Sequence, residues 1–277
     1  MIDGLRDHPL RATLNAEVHS RPFAKLQAPE RISHLALLSG EGAAARERAH
    51  VAALCESRGI TGPKENVNHF ICDFGPFRLK WERHTEFSTY TFFLNGPFSD
   101  APFAGHAIDL VPKEWIAGLP GELLVGVHLE LLAADSPEPD GKTLQDLFGH
   151  DNIVGSLVSG GSAAVWMDFR VRQDGFARIL LRDSNLRPRQ AGRLVQRLLE
   201  IETYRMTALL AFPAAKRHTG GLASIGERLT TITGRLNEGG DIGSERRLLD
   251  DLMKLSSEIE DVAAATTYRF SAASAYY

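Results

Sequence analysis

From Phe77 the chain alternates. Phe77, Leu79 and Trp81 fall on one side, and Arg78, Lys80, Glu82 and His84 fall on the other. A period of two predicts a strand with one core face. Beyond it Phe87, Thr89, Thr91 and Phe93 keep the first side, while Glu86 and Ser88 continue the polar one. This stretch, residues 69–94, is the densest in aromatic residues, and Gly75-Pro76 splits it into two strands. A further turn around Arg83–Glu86 and an uninterrupted strand both fit the pattern.

The same reading predicts a strand over Ile32–Leu38 and an amphipathic helix over Ala43–Arg58 with Gly59 at its end. A short strand at Ala107–Val111 and a short helix at Lys113–Ala117 follow. Leu123–Leu132 reads as a buried strand and Thr143–Phe148 as a helical turn. Val154–Val158, Ala163–Arg170 and Phe176–Leu181 complete the sheet, with Gly160-Gly161 and Asp174-Gly175 as turns. Residues 1–183 are thus expected to form an α/β (α+β) domain, a largely antiparallel sheet with flanking helices.

After Asp183 the period changes. One helix is predicted from Pro188 to Phe212, perturbed by Pro213. Leu222, Ile225, Leu229, Ile232 and Leu236 then step by heptad spacings, as do Leu248, Leu252, Leu255, Ile259 and Val262. A Gly-rich joint between two such runs predicts an antiparallel hairpin of 222–236 and 244–275. Residues 184–277 are therefore expected to be an all-α helical stalk.

Composition narrows the function classes. The chain has 277 residues, 43% hydrophobic and 24% charged, which suits a soluble globular protein with a substantial core. A net charge of -4 speaks against nucleic acid as a partner. The amino terminus lacks a signal-peptide core, and no run approaches the ~20 apolar residues of a membrane span. Cys55 and Cys72 read as reduced thiols in a cytoplasmic setting.

Candidate chemistry centres on Glu82, His84 and Glu86, with Glu17, His19 and Arg21 as possible companions at the same alternate spacing. Alternate strand residues project together about 7 Å apart, so they can converge on one ligand. An imidazole between carboxylates suits a divalent metal, with Glu82, His84 and Glu86 as its ligands, or an acid–base pair. A solvated strand face with cross-strand ion pairs produces the same pattern. Ser159-Gly160-Gly161-Ser162 lacks the Lys-Ser/Thr and the helix of a phosphate loop and reads as a plain turn. Glu200, Glu202 and Arg205 are charges in an otherwise apolar helix, where Glu202 and Arg205 suit an i, i+3 pair. His128, inside a buried-looking strand, reads as a hydrogen-bonded core histidine. No nucleophile elbow, HExxH, CxxC or GxGxxG is present, and no catalytic residue is assigned.

Six stretches together carry a resemblance: HPLRATLNAEVHSRP (8–22), RISHLALL (31–38), WERHTEFSTYTFF (81–93), LPGELLVGVHLELL (119–132), RQAGRLVQRLLEIETYRMTALLA (189–211) and TYRFSAASAYY (267–277). The chain resembles a bacterial domain-of-unknown-function family described as uncharacterised membrane-anchored proteins. The resemblance implies longer relatives that continue into two hydrophobic segments, so any membrane contact is expected through segments outside this chain. It also implies the cytoplasmic side of the inner membrane. It transfers no activity and no catalytic residue. The leading expectation is a ligand-sensing or protein-binding cytoplasmic portion that forms homo-oligomers through helices 189–275. A metal-dependent enzyme using the Glu82/His84/Glu86 face is the alternative. A third is the cytosolic domain of a two-transmembrane divalent-cation channel-like protein, on likeness of layout alone.

Overall fold

The structure, a computed structural model, describes residues 6–11, 14–15, 22–40 and 42–277. They divide into two compact units, residues 1–200 and 201–277.

The first unit is built on one sheet of eight strands: β1 (Glu30–Leu38), β2 (His69–Asp73), β3 (Arg78–Arg83), β4 (Ser88–Asn95), β5 (Glu122–Leu132), β6 (Val154–Val158), β7 (Ala163–Met167) and β8 (Ala177–Asp183). Their order is β2-β3-β4-β1-β5-β8-β7-β6. Neighbours pair antiparallel, save β5 with β8, which run parallel. The mixed α/β class and the largely antiparallel sheet agree with the hydrophobic pattern.

Both faces of the sheet are covered, so its central strands are buried on either side. The front face carries Leu79, Trp81, Tyr90, Phe92, Leu35 and Leu37. Helix α1 (Ala44–Glu56) adds Val51, Leu54 and Cys55 to it, and the short helix α2 (Lys113–Ala117) adds Trp115. Helix α3 (Gly141–Phe148) closes the β8 end of that face, where Phe148 packs with Phe103 and Leu180. The Asp140 carboxylate caps α3 through the Thr143 N–H (2.7 Å), and Gly149, at φ 73, ends it in the left-handed conformation that glycine adopts without strain.

The back face carries Ile32, Val127, Leu129, Leu131, Ile179 and Leu181, each with at most 1% exposure. Helix α4 (Pro188–Leu209) lies against it, burying Ala191, Val195, Leu198 and Leu199, and its Gln196 accepts a hydrogen bond from Lys80 of β3 (3.1 Å). The segment before β1 also clamps α4: Leu26 N–H reaches Pro188 O (3.1 Å). A Cβ on Gly192 would stand 1.7 Å from Ala24 O, so this approach demands glycine.

Three expectations are corrected. Residues 107–110 form a single 3₁₀ turn, not a strand. His106 and Asp109 cap it, the Asp109 carboxylate accepting from the His106 N–H (2.8 Å) and the His106 carbonyl from the Asp109 N–H (3.1 Å). These local bonds compete successfully with a ladder. Helix α4 stops at Leu209 rather than Phe212, because the Pro213 ring excludes the carbonyl four residues earlier. Finally, Thr89, Thr91 and Phe93 do not share a face with Leu79 and Trp81. Arg83 pairs with Ser88, so across the β3–β4 turn odd and even positions exchange faces.

The second unit holds the end of α4 and a helical hairpin of α5 (Ala211–Glu238) and α6 (Ile242–Tyr276). Its joint is shorter than the pattern suggested. Gly239 leaves α5 at φ 73, and the Asp241 side chain caps α6 through the Ser244 N–H (2.7 Å). Among the described residues no helix is long and apolar enough to cross a membrane.

Candidate functional site

The structure does not line up Glu82, His84 and Glu86. Strand β3 ends at Arg83, and His84 N–H to Phe87 O (2.8 Å) closes a tight turn in which the His84 ring stacks on Phe87 at 4.4 Å. Glu82 stays on the strand, His84 and Glu86 belong to the turn, and the continuous polar row expected of one strand is broken. Among the described residues no group of three or more His, Cys, Asp and Glu is placed to hold a metal ion. Glu17, His19 and Arg21 lie outside the described residues.

Glu82 nevertheless sits in a buried polar cluster on the back face. Its Oε2 pairs with Lys80 Nζ at 2.9 Å, and both side chains are at most 10% exposed. Lys80 continues to Gln196, and Gln196 donates to Glu200 (2.8 Å). One register row away, His34 Nδ1 contacts Thr91 Oγ1 at 2.8 Å. Burial, with His84 and Lys80 nearby, draws the His34 pKa down to about 3, so its imidazole is neutral. Glu82 Oε1 is buried without a hydrogen-bond partner. The polar side of this strand is therefore not a solvated face. Sequence reasoning missed His34 and Gln196, since the link from strand to helix spans 116 positions and leaves no local spacing signal.

The front face carries a second polar group at the sheet centre. Ser33 Oγ meets His128 Nδ1 at 3.0 Å and accepts from Ile108 N–H at 3.2 Å. His128 is sandwiched between His106 (3.7 Å) and Phe176 (3.9 Å). Burial, then His106 and Arg178, lower its pKa to about 2. It is the hydrogen-bonded core histidine that its strand suggested. Ser33 is fully buried, which closes it to a substrate.

Beyond Phe176 the same face opens into a cavity of about 740 Å³. Leu35, Leu37, Ile108, Val111, Ile116 and Leu119 supply its apolar walls, and Asp109 and Lys113 are its charged groups. Asp109 is already engaged by His106 through main chain and ring (3.4 Å). Lys113 is exposed and makes no ion pair among the described residues. The sequence hid this cavity because its walls come from β1, the 3₁₀ turn, α2 and the loops before β5 and β8.

The remaining candidates are structural. Residues 159–161 are a 3₁₀ turn leading into β7, with no helix to receive a phosphate. Glu202 and Arg205 form an i, i+3 pair at 2.7 Å. Cys55 and Cys72 are free thiols, and burial, reinforced by Cys72, holds Cys55 up at about 11, far from a reactive thiolate.

Fold and site together define a mixed α/β sheet protein with an apolar front cavity and a helical hairpin. The chain belongs to the family described as "Protein of unknown function (DUF3422)", which it matches over residues 6–277. No curated protein and no solved structure matches it.

Proposed function

We propose that the α/β unit is a binding domain for a small amphipathic molecule with an anionic head, held in the front cavity. The observation that carries this reading is the cavity itself. Its volume of about 740 Å³ falls within the roughly 300–1,000 Å³ of small-molecule sites, and such sites combine apolar walls with few polar groups. Asp109 is occupied by His106, which leaves the Lys113 ammonium to meet a carboxylate. Decanoate is the probe, with decanol and decylamine as neutral and cationic controls. Calorimetry is expected to show saturable decanoate binding, weaker by about tenfold in Lys113→Glu and abolished in Ile116→Asp. No saturable binding of any of the three probes would remove the reading. The resemblance further supports a place on the cytoplasmic side of a membrane-anchored protein. Recovery of the full-length gene product wholly in the soluble fraction would count against that.

A second reading, acid–base chemistry on the back face, rests on Glu82, whose buried Oε1 lacks a donor while Oε2 holds Lys80. A divalent ion reaching that buried oxygen would complete it. Metal analysis of the purified protein tests this. A stoichiometric ion lost in Glu82→Gln favours the reading, and a metal-free protein with unchanged thermal stability in divalent salts counts against it.

A further inference from the structure

Helices α5 and α6 bury little of what they carry. Of the 28 residues of α5 only Ile225 and Ile232 are buried, and of the 35 of α6 only Leu248, Leu255 and Thr266. With Leu252 packed against them, the four aliphatic residues are the hairpin's own core. Ordering each backbone residue costs about 1–2 kcal/mol, and helices gain most of their stability from packing. Gly220, Gly221, Gly226 and Gly234 weaken α5 further, each by up to about 1 kcal/mol relative to alanine. Such a hairpin is too thinly packed to stand unaided.

Its outward side is nevertheless not polar. Leu222, Leu229 and Leu236 recur every seventh residue and are 47%, 44% and 47% exposed. Gly226 and Thr233 fill the steps between them, so the stripe 222–226–229–233–236 holds no charge. The Arg228–Glu258 ion pair (2.7 Å) shows how the flanks are arranged. Each of these residues follows a core position by three, Ile225 and Leu255, and the two meet on one side. Residues four beyond a core position therefore share the other side: Leu229 and Leu236 on α5, Leu252 and Ile259 on α6. One flank is ionic, and the other is an apolar band running along both helices.

We infer that this band is an interface with a second copy of the same chain, two hairpins packing flank to flank into a four-helix bundle. Charge favours that occupant. Helix α5 holds four basic and two acidic residues, and α6 holds six acidic and four basic. A two-fold axis that lays α5 of one copy over α6 of the other places the net-positive helix on the net-negative one, twice. The exposed leucines then enter a heptad-spaced core of the kind four-helix bundles share.

The test is the mass of the full chain by light scattering and sedimentation over a range of concentrations. The expected species has twice the chain mass. Leu229→Glu, which enters a two-fold interface twice, is expected to weaken association by about 100-fold or more, with helical content unchanged by circular dichroism. Leu229→Ser gives a milder version should the charged variant misfold. Thr231→Glu, away from the band, leaves the mass as it was. A wild-type chain that stays monomeric at about 100 μM overturns the inference, because a specific interface of this kind is populated there. A dimer indifferent to both Leu229→Glu and Ile259→Glu overturns it as well.

Discussion

Arg31→Met is expected to destabilise the α/β unit by about 3–5 kcal/mol at pH 8, and by clearly less at pH 5. The Arg31 side chain is 6% exposed and engages all three nitrogens of its fork. It holds both oxygens of Asp100 (3.1 and 3.0 Å), Ala101 O (3.1 Å) and Glu130 (3.0 Å), and its guanidinium lies 4.2 Å over the Phe98 ring. Asp100 is half-exposed and can return to water. Glu130 cannot. Its side chain is 5% exposed, and without Arg31 it keeps only the Phe103 N–H (2.9 Å). Even beside Arg31, burial pushes the Glu130 carboxyl up to about 7. In the variant it rises further, so the folded protein must take up a proton at pH 8 or bury an unpaired anion. Below pH 5 the carboxyl is protonated in the folded state and the penalty shrinks. Urea denaturation at both pH values measures this. Arg31→Met/Glu130→Gln should recover much of the loss, with a coupling of at least about 1 kcal/mol. Equal losses at the two pH values would show that packing, not charge, explains the cost.

The pair Arg31 and Glu130 also shows where sequence reasoning stops. Strand β1 is legible from its β-branched and leucine residues and β5 from a continuous apolar run, because burial on both faces imposes such runs. Their pairing spans 99 positions, and no local spacing encodes it. The continuous polar row breaks for a related reason. Alternation through His84–Phe87 looks the same whether the chain runs on or turns back, yet the turn decides which face each later residue takes. Glu82 stands out in the alternation, but the pattern does not reveal the helix to which its partner Lys80 is bonded. The hairpin was legible in outline, because heptad spacing is a local property of each helix. Its ends extended past the apolar seams, since capping by Asp241 and the glycine at 239 set them.

Acid is expected to unfold the protein through two histidines. Burial depresses both His34, to about 3, and His128, to about 2, below the ordinary 6.5. A group with a lowered folded pKa contributes stability that is fully present above its unfolded value and lost as pH falls. Below pH 6.5 the unfolded chain protonates both imidazoles while the folded one protonates neither, so each removes about 1.4 kcal/mol per pH unit. Glu130 acts in the opposite sense. With its folded pKa raised from 4.5 to about 7, it contributes stability present below 4.5 and lost as pH rises through 7. Between pH 6.5 and 4.5 these terms leave a net uptake of about one proton on unfolding, a slope near 1.4 kcal/mol per unit. Below 4.5 Glu130 is protonated in both states, and the two histidines together steepen the slope to about twice that until His34 itself titrates near 3. The groups facing them do not reverse the sign: Lys80 and His84 beside His34, and His106 and Arg178 beside His128, all oppose an imidazolium. Guanidinium melts from pH 7 to 3.5 read the slope. His128→Asn, whose amide can still meet Ser33, should lower absolute stability at pH 7 yet flatten the acid limb by about 1.4 kcal/mol per unit. A variant whose acid limb stays parallel to the wild type would show that His128 is not buried in its neutral form.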